Sequence, residues 1–113
     1  IHGSADWFEN RRAMLNDIQE MLETLSEPLW LVCLDLDNFK SINDQYGHDI
    51  GDQYLRRFGT MLEEMTAQNG QAYRMGGDEF AVLYSGGPAE KIEAFGNAIC
   101  RASGMEKSRS FWV

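Results

Sequence analysis

The chain has 113 residues, of which 43% are hydrophobic and 25% are charged, and its formal net charge is −8. This length fits one compact domain, and the acidic balance excludes nonspecific nucleic-acid binding, which needs a basic surface. The sequence has no apolar run long enough to span a bilayer and no signal-peptide pattern, so we expect a cytoplasmic domain without membrane contact.

The first half of the chain predicts one helix followed by one strand. Apolar residues at helical spacing predict a helix over about residues 10–25, which Pro28 ends. The continuous apolar run Trp30 to Leu34 predicts a strand buried on both faces. This strand runs directly into the acidic stretch Asp35-Leu36-Asp37.

The next predicted element is a long helix. Asp49, followed by Asp52 three residues later, is typical of a helix N-cap with a capping-box-like arrangement. An apolar stripe then continues to Met65, and Asn69-Gly70 closes the helix.

A hairpin, a helix and a last strand complete the pattern. Residues 71–75 and 80–84 are predicted strands, joined by a two-residue turn at Gly76-Gly77. Pro88 suits the first position of a helix that runs to about residue 102, and residues 110–113 have strand character. The order α-β-α-β-β-α-β predicts an α+β sandwich with mixed or antiparallel pairing.

The two cysteines, Cys33 and Cys100, lie far apart and have no metal-type spacing. We interpret them as buried free thiols in a reducing compartment, with a disulfide as the less favoured alternative.

Asp35 and Asp37 are the first candidate functional residues. On a strand both project from the same face, where two unpaired carboxylates repel each other and are costly to desolvate. Either both are solvated at the strand end, or they share a cation. For an isolated D-x-D the solvated interpretation is favoured.

The stretch Met75-Gly76-Gly77-Asp78-Glu79-Phe80 adds carboxylates to a hairpin that needs only its glycines. Glycine lets a backbone approach a ligand closely, and a few carboxylates with open positions suit Mg²⁺ together with substrate phosphates. The alternative is a solvated acidic hairpin tip. If the hairpin strands neighbour the first strand, Asp78 and Asp35 are expected to converge.

The segment between these sites carries further polar candidates, each with a structural alternative. Lys40 is suited to a phosphate oxygen or to solvent. Asn43 and Asp52 carry groups that can read a purine edge, although a turn residue and a helix cap are equally available roles. His48 either binds substrate or fills the turn before the helix, and Arg74 either meets a phosphate or pairs with a neighbouring acid.

Taken together, LDLDNFKSINDQYGHDIGDQYL at residues 34–55 and YRMGGDEFAVL at residues 73–83 closely resemble the GGDEF family of diguanylate cyclases. The resemblance covers roughly residues 10–113. It implies a nucleotide-cyclase or polymerase-palm-like (ferredoxin-like) sandwich, with a central, mainly antiparallel sheet flanked by helices. It also implies condensation of two GTP into cyclic di-GMP and pyrophosphate by a homodimer, with Mg²⁺ or Mn²⁺ as the cofactor.

The same resemblance implies roles for individual residues. Asp35, the backbone carbonyl of Leu36 and Asp78 would hold metal, with Asp78 also accepting the proton of the attacking 3′-hydroxyl. Glu79 is an accessory metal or catalytic carboxylate, and Lys40 stabilises phosphate charge. The implied substrate-binding positions are Phe39, Asn43, His48, Asp52, Arg74, Gly76 and Gly77, with Asn43 and Asp52 on guanine.

Three features depart from the family pattern. Residues 1–9 do not match the usual lead-in. The positions of an R-x-x-D product-inhibition motif hold Ala67 and Gly70, so feedback inhibition through that motif is not expected. The chain also stops before a later helix whose lysine and arginine grip the triphosphate in relatives, so we interpret residues 1–113 as one GGDEF domain that is incomplete at its C-terminal end.

Two functions from different classes are therefore compared. The first is a diguanylate cyclase domain. The second is a catalytically silent GTP-binding regulatory or interaction module, next to a cyclic di-GMP phosphodiesterase domain. For the full-length protein we expect an adjacent sensory or phosphodiesterase domain. The intact acids of the GGDEF stretch favour the first for the parent protein, whereas the atypical lead-in and the missing C-terminal part favour the second for residues 1–113 alone.

Overall fold

The computed structural model describes residues 7–24, 26–36, 39–103 and 109–112. Its elements, in chain order, are α1 (Trp7–Thr24), β1 (Leu29–Asp35), α2 (Phe39–Tyr46), α3 (His48–Thr66), a 3₁₀ turn (Ala67–Asn69), β2 (Gly70–Arg74), β3 (Glu79–Ser85), α4 (Ala89–Ser103) and β4 (Arg109–Trp112).

The four strands form one antiparallel sheet in the order β2-β3-β1-β4. β1 lies in the interior of the sheet, where its apolar run pairs with β3 on one side and β4 on the other. Val32 is opposite Val82, and Asp35 is opposite Glu79. The predicted α+β fold with a central antiparallel sheet is confirmed.

Each face of the sheet covers a separate hydrophobic cluster, because side chains alternate along a strand. The larger cluster joins one face to α3 and α4, and its members include Val32, Leu34, Phe58, Leu62, Phe80, Val82, Ile92 and Ile99. The smaller cluster joins the opposite face to α1 and contains Met14, Leu29, Tyr73, Ala81 and Leu83. Each buried side chain of this size contributes roughly 1.5–3 kcal/mol, so the larger cluster carries most of the packing energy.

The burial of β1 differs from the prediction of a strand covered on both faces. Val32 and Leu34 are buried under α3 and α4, whereas Leu31 and Cys33 on the α1 side are only partly buried. Cys33 and Cys100 are both free thiols, as predicted, but only Cys100 is buried.

Two local predictions about the region after β1 were wrong. Residues 39–46 form α2, a helix with no buried residue, so it lacks the broad apolar stripe that identifies longer helices in a sequence. The following helix begins at His48 with Gly47 as its N-cap, and Asp49 lies in its first turn. Gly47 adopts φ 88°, a conformation that suits glycine and separates α2 from α3.

Among the residues with described positions, no helix is both long and apolar enough to cross a membrane.

Candidate functional site

The acidic residues meet at one end of the sheet, where β1 ends and β3 begins. Asp35 is the last residue of β1 and Glu79 the first of β3, and they are directly opposite each other. Cross-strand partners project to the same face, so two exposed carboxylates face one another on the α1 side. Like charges in this position destabilise a sheet unless solvent or a cation separates them.

The strand pairing continues one residue further and brings Asp78 beside Leu36. The backbone N–H of Leu36 donates to the carbonyl oxygen of Asp78 at 3.0 Å. The register therefore places Glu79, rather than Asp78, opposite Asp35. Asp78 belongs to the loop before β3, and its sharing of a cation with Asp35 remains a prediction. Asp37 lies outside the described residues.

The hairpin loop is one residue longer than predicted. The backbone N–H of Met75 donates to the carbonyl of Glu79 at 2.8 Å, which leaves Gly76, Gly77 and Asp78 between them. Neither glycine lies in the left-handed region that a two-residue primed turn requires. A Cβ at Gly77 would meet nothing within 4 Å, so this part of the loop presents open backbone.

Arg74 holds the loop from inside the hairpin. Its Nε donates to the carbonyl of Gly76 at 3.3 Å and its Nη2 to the carbonyl of Gly77 at 2.9 Å. The guanidinium carbon also lies 5.9 Å from the centre of the Phe80 ring, within cation–π range. Burial lowers the pKa of Arg74, and the charge of Asp52 opposes this change.

The predicted substrate-binding residues lie mainly on α2 and at the start of α3. Lys40, His48 and Asp52 are exposed, whereas Phe39 is half-buried against the larger cluster. Asn43 packs so closely on α3 that a Cβ at Gly51 would lie 1.8 Å from its Oδ1. This oxygen is buried and accepts no hydrogen bond from any residue of the described segments.

A cavity of about 410 Å³ lies beside the facing carboxylates, between α1 and the sheet. Its apolar floor comes from β1 and β3, and Arg11 of α1 contributes a positive charge to its wall. The lining residues are Arg11, Met14, Leu31, Cys33, Leu34, Asp35, Met75, Glu79, Phe80 and Ala81.

Comparison with known proteins identifies the family to which the chain belongs. The family described as "Diguanylate cyclase, GGDEF domain" matches residues 7–108. The chain belongs to the GGDEF family.

Individual relatives agree with this assignment. Over 56 residues, or 50% of the chain, it is 50% identical to the diguanylate cyclase DgcS of Shewanella oneidensis. Over 75 residues, or 65% of the chain, it is 44% identical to the probable diguanylate cyclase DgcI of Escherichia coli K12. These alignments span only 19% and 17% of the two relatives.

The fold is also that of solved GGDEF domains. The crystal structure of the GGDEF domain of DgcB from Caulobacter crescentus, in complex with c-di-GMP, superposes with a TM-score of 0.73 at 26% identity. The match covers 90% of this chain and 70% of that one. The palm-like architecture expected from the sequence is therefore confirmed.

The donor set at this end of the sheet fits a hard divalent cation. Asp35, Asp78 and Glu79 supply carboxylate oxygens, and the carbonyl of Leu36 keeps a second lone pair although it accepts the N–H of Phe39 at 3.1 Å. Within residues 7–24, 26–36, 39–103 and 109–112, no group of three or more His, Cys, Asp or Glu side chains has metal-binding geometry. One or two carboxylates plus substrate phosphates are the ligands that Mg²⁺ prefers, so the fit lies in the chemistry of these oxygen donors and a metal site here remains a prediction.

Two residues of the site were not found by reasoning from the sequence. Asn10 is 5% exposed and donates from Nδ2 to the carbonyl of Arg74 at 2.8 Å, although the residues are 64 positions apart. Arg11, the next residue, lines the cavity. Nothing in the sequence indicated what the side chains of Asn10 and Arg11 contact.

Proposed function

We propose that this GGDEF domain, within the protein that carries it, condenses two GTP molecules into cyclic di-GMP. In each of two equivalent steps a 3′-hydroxyl attacks the α-phosphate of the other nucleotide, a phosphodiester forms and pyrophosphate leaves. The observation that carries the proposal is the β1–β3 pairing, which places Asp35 opposite Glu79 and the backbone of Asp78 beside Leu36, next to open backbone at Gly77. Family membership and the names of the relatives support it.

The acidic residues take the cation-binding and proton-accepting roles in this proposal. Asp35, Asp78 and the carbonyl of Leu36 hold Mg²⁺ or Mn²⁺, with Glu79 as an accessory carboxylate. When bound, the cation neutralises the charge of the triphosphate, which is the main requirement of phosphoryl transfer. Asp78 receives the proton of the attacking hydroxyl, and Lys40 adds a positive charge near the phosphates.

The residues of α2 and α3 form the nucleotide-binding part of the proposal. Asn43 and Asp52 bind the guanine edge, since an amide and a carboxylate together match its donors and acceptor. His48 and Phe39 are further substrate-binding residues in this proposal. Gly76 and Gly77 contact the phosphates in this proposal, and the space is open at Gly77, where a Cβ would meet nothing within 4 Å, whereas at Gly76 a Cβ would lie 3.5 Å from the Glu79 side chain.

Two copies of the domain are needed for the reaction. Cyclic di-GMP contains two equivalent phosphodiester bonds, so each GTP acts once as nucleophile and once as electrophile. A two-fold axis between two identical subunits provides this equivalence with one set of residues. We therefore propose a homodimer as the active form, under the control of an adjacent sensory or phosphodiesterase domain and located in the cytoplasm.

The test is turnover of GTP with Mg²⁺ by the full-length gene product and by its Asp78→Asn variant. We expect cyclic di-GMP from the unchanged protein and a loss of kcat of at least about 100-fold in the variant, because a proton acceptor and cation ligand is removed. Asp44→Asn, which removes an exposed carboxylate from α2, is the matched control and should keep full activity.

The silent-module hypothesis predicts a different result in the same experiment. The unchanged protein would then bind GTP in a titration but release no pyrophosphate, and Asp78→Asn would have nothing to abolish. That outcome would overturn the proposed cyclase activity.

A further inference from the structure

The loop that carries Asp78 depends on one side chain for its shape. Two of its three residues direct a carbonyl oxygen at the guanidinium of Arg74, at 3.3 Å from Gly76 and 2.9 Å from Gly77. A guanidinium presents its donors in a rigid plane, so one side chain fixes two successive peptide groups together. The peptide after Gly77 leads directly to Asp78, whose position follows from theirs.

Arg74 is itself held in place from three directions. Its backbone is paired with Phe80 in the β2–β3 ladder, and its guanidinium lies near the face of the same ring. Its carbonyl accepts the hydrogen bond of the buried Asn10 from α1. The connection therefore runs from Asn10 through Arg74 to the Gly76 and Gly77 peptides.

The charge around Arg74 agrees with a structural role at this position. The guanidinium is partly buried, which lowers its pKa, and the nearby charge of Asp52 on α3 acts in the opposite direction. An arginine remains protonated throughout the pH range in which proteins work, so its donors are always available to the two carbonyls.

We propose that Arg74 is a positioning residue of the catalytic loop, and that Asn10 acts with it by fixing the Arg74 backbone to α1. This inference rests on the proposed cyclase function for its catalytic consequence, but the loop geometry can be measured without it. It differs from the expectation that Arg74 contacts a substrate phosphate. A misplacement of about 1 Å at reacting groups can cost about 100-fold in rate, so contacts that fix the position of this loop affect the rate of the reaction.

The first measurement is amide hydrogen exchange in the full-length protein and in its Arg74→Lys and Asn10→Asp variants. The N–H groups of Met75 and Leu36 donate to the carbonyls of Glu79 and Asp78, and they report directly on the loop. Lysine keeps the charge but cannot hold two carbonyls in one plane, and aspartate removes the Nδ2 donor of Asn10 and adds a carboxyl group at this buried position. We expect exchange of both reporter amides to be about tenfold faster in each variant, as it would be after loss of one or two hydrogen bonds.

The internal control is an amide at the other end of the sheet. The N–H of Gly86 donates to the carbonyl of Pro28 at 2.8 Å and should exchange at the unchanged rate in both variants. If one variant accelerates exchange at all three amides, it has lost the fold, and the other variant decides the question. Arg56→Lys, on the exposed surface of α3, is the matched arginine control.

The second measurement is turnover of GTP by the same variants. A positioning role predicts a kcat lower by about 10- to 100-fold with KM for GTP within a factor of two, in Asn10→Asp as well as Arg74→Lys. A direct phosphate contact predicts instead a raised KM in Arg74→Lys, with unchanged reporter amides and no effect of Asn10→Asp, and would overturn the inference. If the unchanged protein makes no cyclic di-GMP while the reporter amides respond as expected, the cyclase proposal fails and the positioning role stands.

Discussion

Tyr73 is a fully buried phenol whose hydroxyl donates to the Oδ2 of Asp17 on α1. The residue next to it, Arg74, accepts the hydrogen bond of Asn10 from the same helix. Two polar contacts therefore fix α1 to β2 on the face of the sheet that carries the smaller hydrophobic cluster. Helix spacing places Asn10 and Asp17 two turns apart, so both reach the same strand.

The Tyr73–Asp17 contact predicts how stability changes in alkali. Burial, and then the hydrogen bond and charge of Asp17, raise the pKa of Tyr73 above its unfolded value of about 10. The folded protein thus binds this proton more tightly than the unfolded chain does. The stability it contributes is fully present below about pH 10 and is lost as pH rises further, by up to about 1.4 kcal/mol per pH unit.

Tyr73→Phe should remove this part of the pH dependence. At pH 8 we expect the unfolding free energy of the variant to be about 1–2 kcal/mol lower than that of the unchanged protein, because the variant lacks the hydrogen bond to a charged partner. Between pH 10 and 11, the unfolding free energy of the variant should fall less than that of the unchanged protein. Urea unfolding at each pH measures both effects. Tyr46→Phe, at a residue that is 60% exposed on α2, is the control and should keep the slope of the unchanged protein; equal slopes in all three proteins would contradict the prediction.

At the scale of elements, the sequence was sufficient to predict each helix or strand whose structure is determined by one apolar stripe or run. α1, α3, α4 and β1 were predicted to within a few residues, because their burial follows a clear period of 3.6 or an unbroken apolar segment. α2 was missed because it is short and buries no residue. The N-cap of α3 was misassigned, because the positive φ of Gly47 determines where the helix starts and the nearby acids do not.

The contact between α2 and α3 leads to a prediction about Gly51. A methyl group there gains up to about 1 kcal/mol of helix propensity but would lie 1.8 Å from the Oδ1 of Asn43, and overpacking costs about 1–3 kcal/mol. The amide of Asn43 can move away, so the net loss in Gly51→Ala should be only about 1 kcal/mol, with the fold retained. If Asn43 binds guanine as proposed, GTP affinity should fall by about tenfold, as expected for one lost hydrogen bond of about 1.4 kcal/mol.

A titration with GTP and a thermal melt test this prediction on the same samples. Gln53→Ala, at an exposed position of the same helix, is the control for a change of helix propensity alone. The double variant Gly51→Ala with Asn43→Ala should bind GTP no more weakly than Asn43→Ala alone, because both act on one amide. Additive losses would show that Gly51 and Asn43 affect the nucleotide separately.

At the scale of the whole molecule, the candidate site exists because antiparallel pairing brings together residues that are far apart in the chain. The sequence showed acidic stretches at 35–37 and 78–79, and the family resemblance indicated that they belong to one site. The sequence did not show that Glu79 is the residue opposite Asp35, because this pairing depends on the register of β1 and β3. The contact between Asn10 and Arg74 could not be predicted from the sequence either, since it requires the packing of α1 against β2.

The facing acids predict that Mg²⁺ stabilises the protein as a whole. The chain has a net charge of −8, and the Asp35–Glu79 pair concentrates two negative charges at one point, so a bound divalent cation relieves repulsion that the unfolded chain does not have. A ligand that binds only the folded state at 100 times its Kd adds about 2.7 kcal/mol to the unfolding free energy. We therefore expect thermal melts to shift upward with Mg²⁺ at constant ionic strength and to return after EDTA is added.

Asp35→Asn should lose most of this shift, whereas Asp44→Asn, which removes the same charge from the exposed surface of α2, should retain it. An equal shift in both variants would mean that Mg²⁺ acts through the overall charge, and would remove the support for a cation at this end of the sheet.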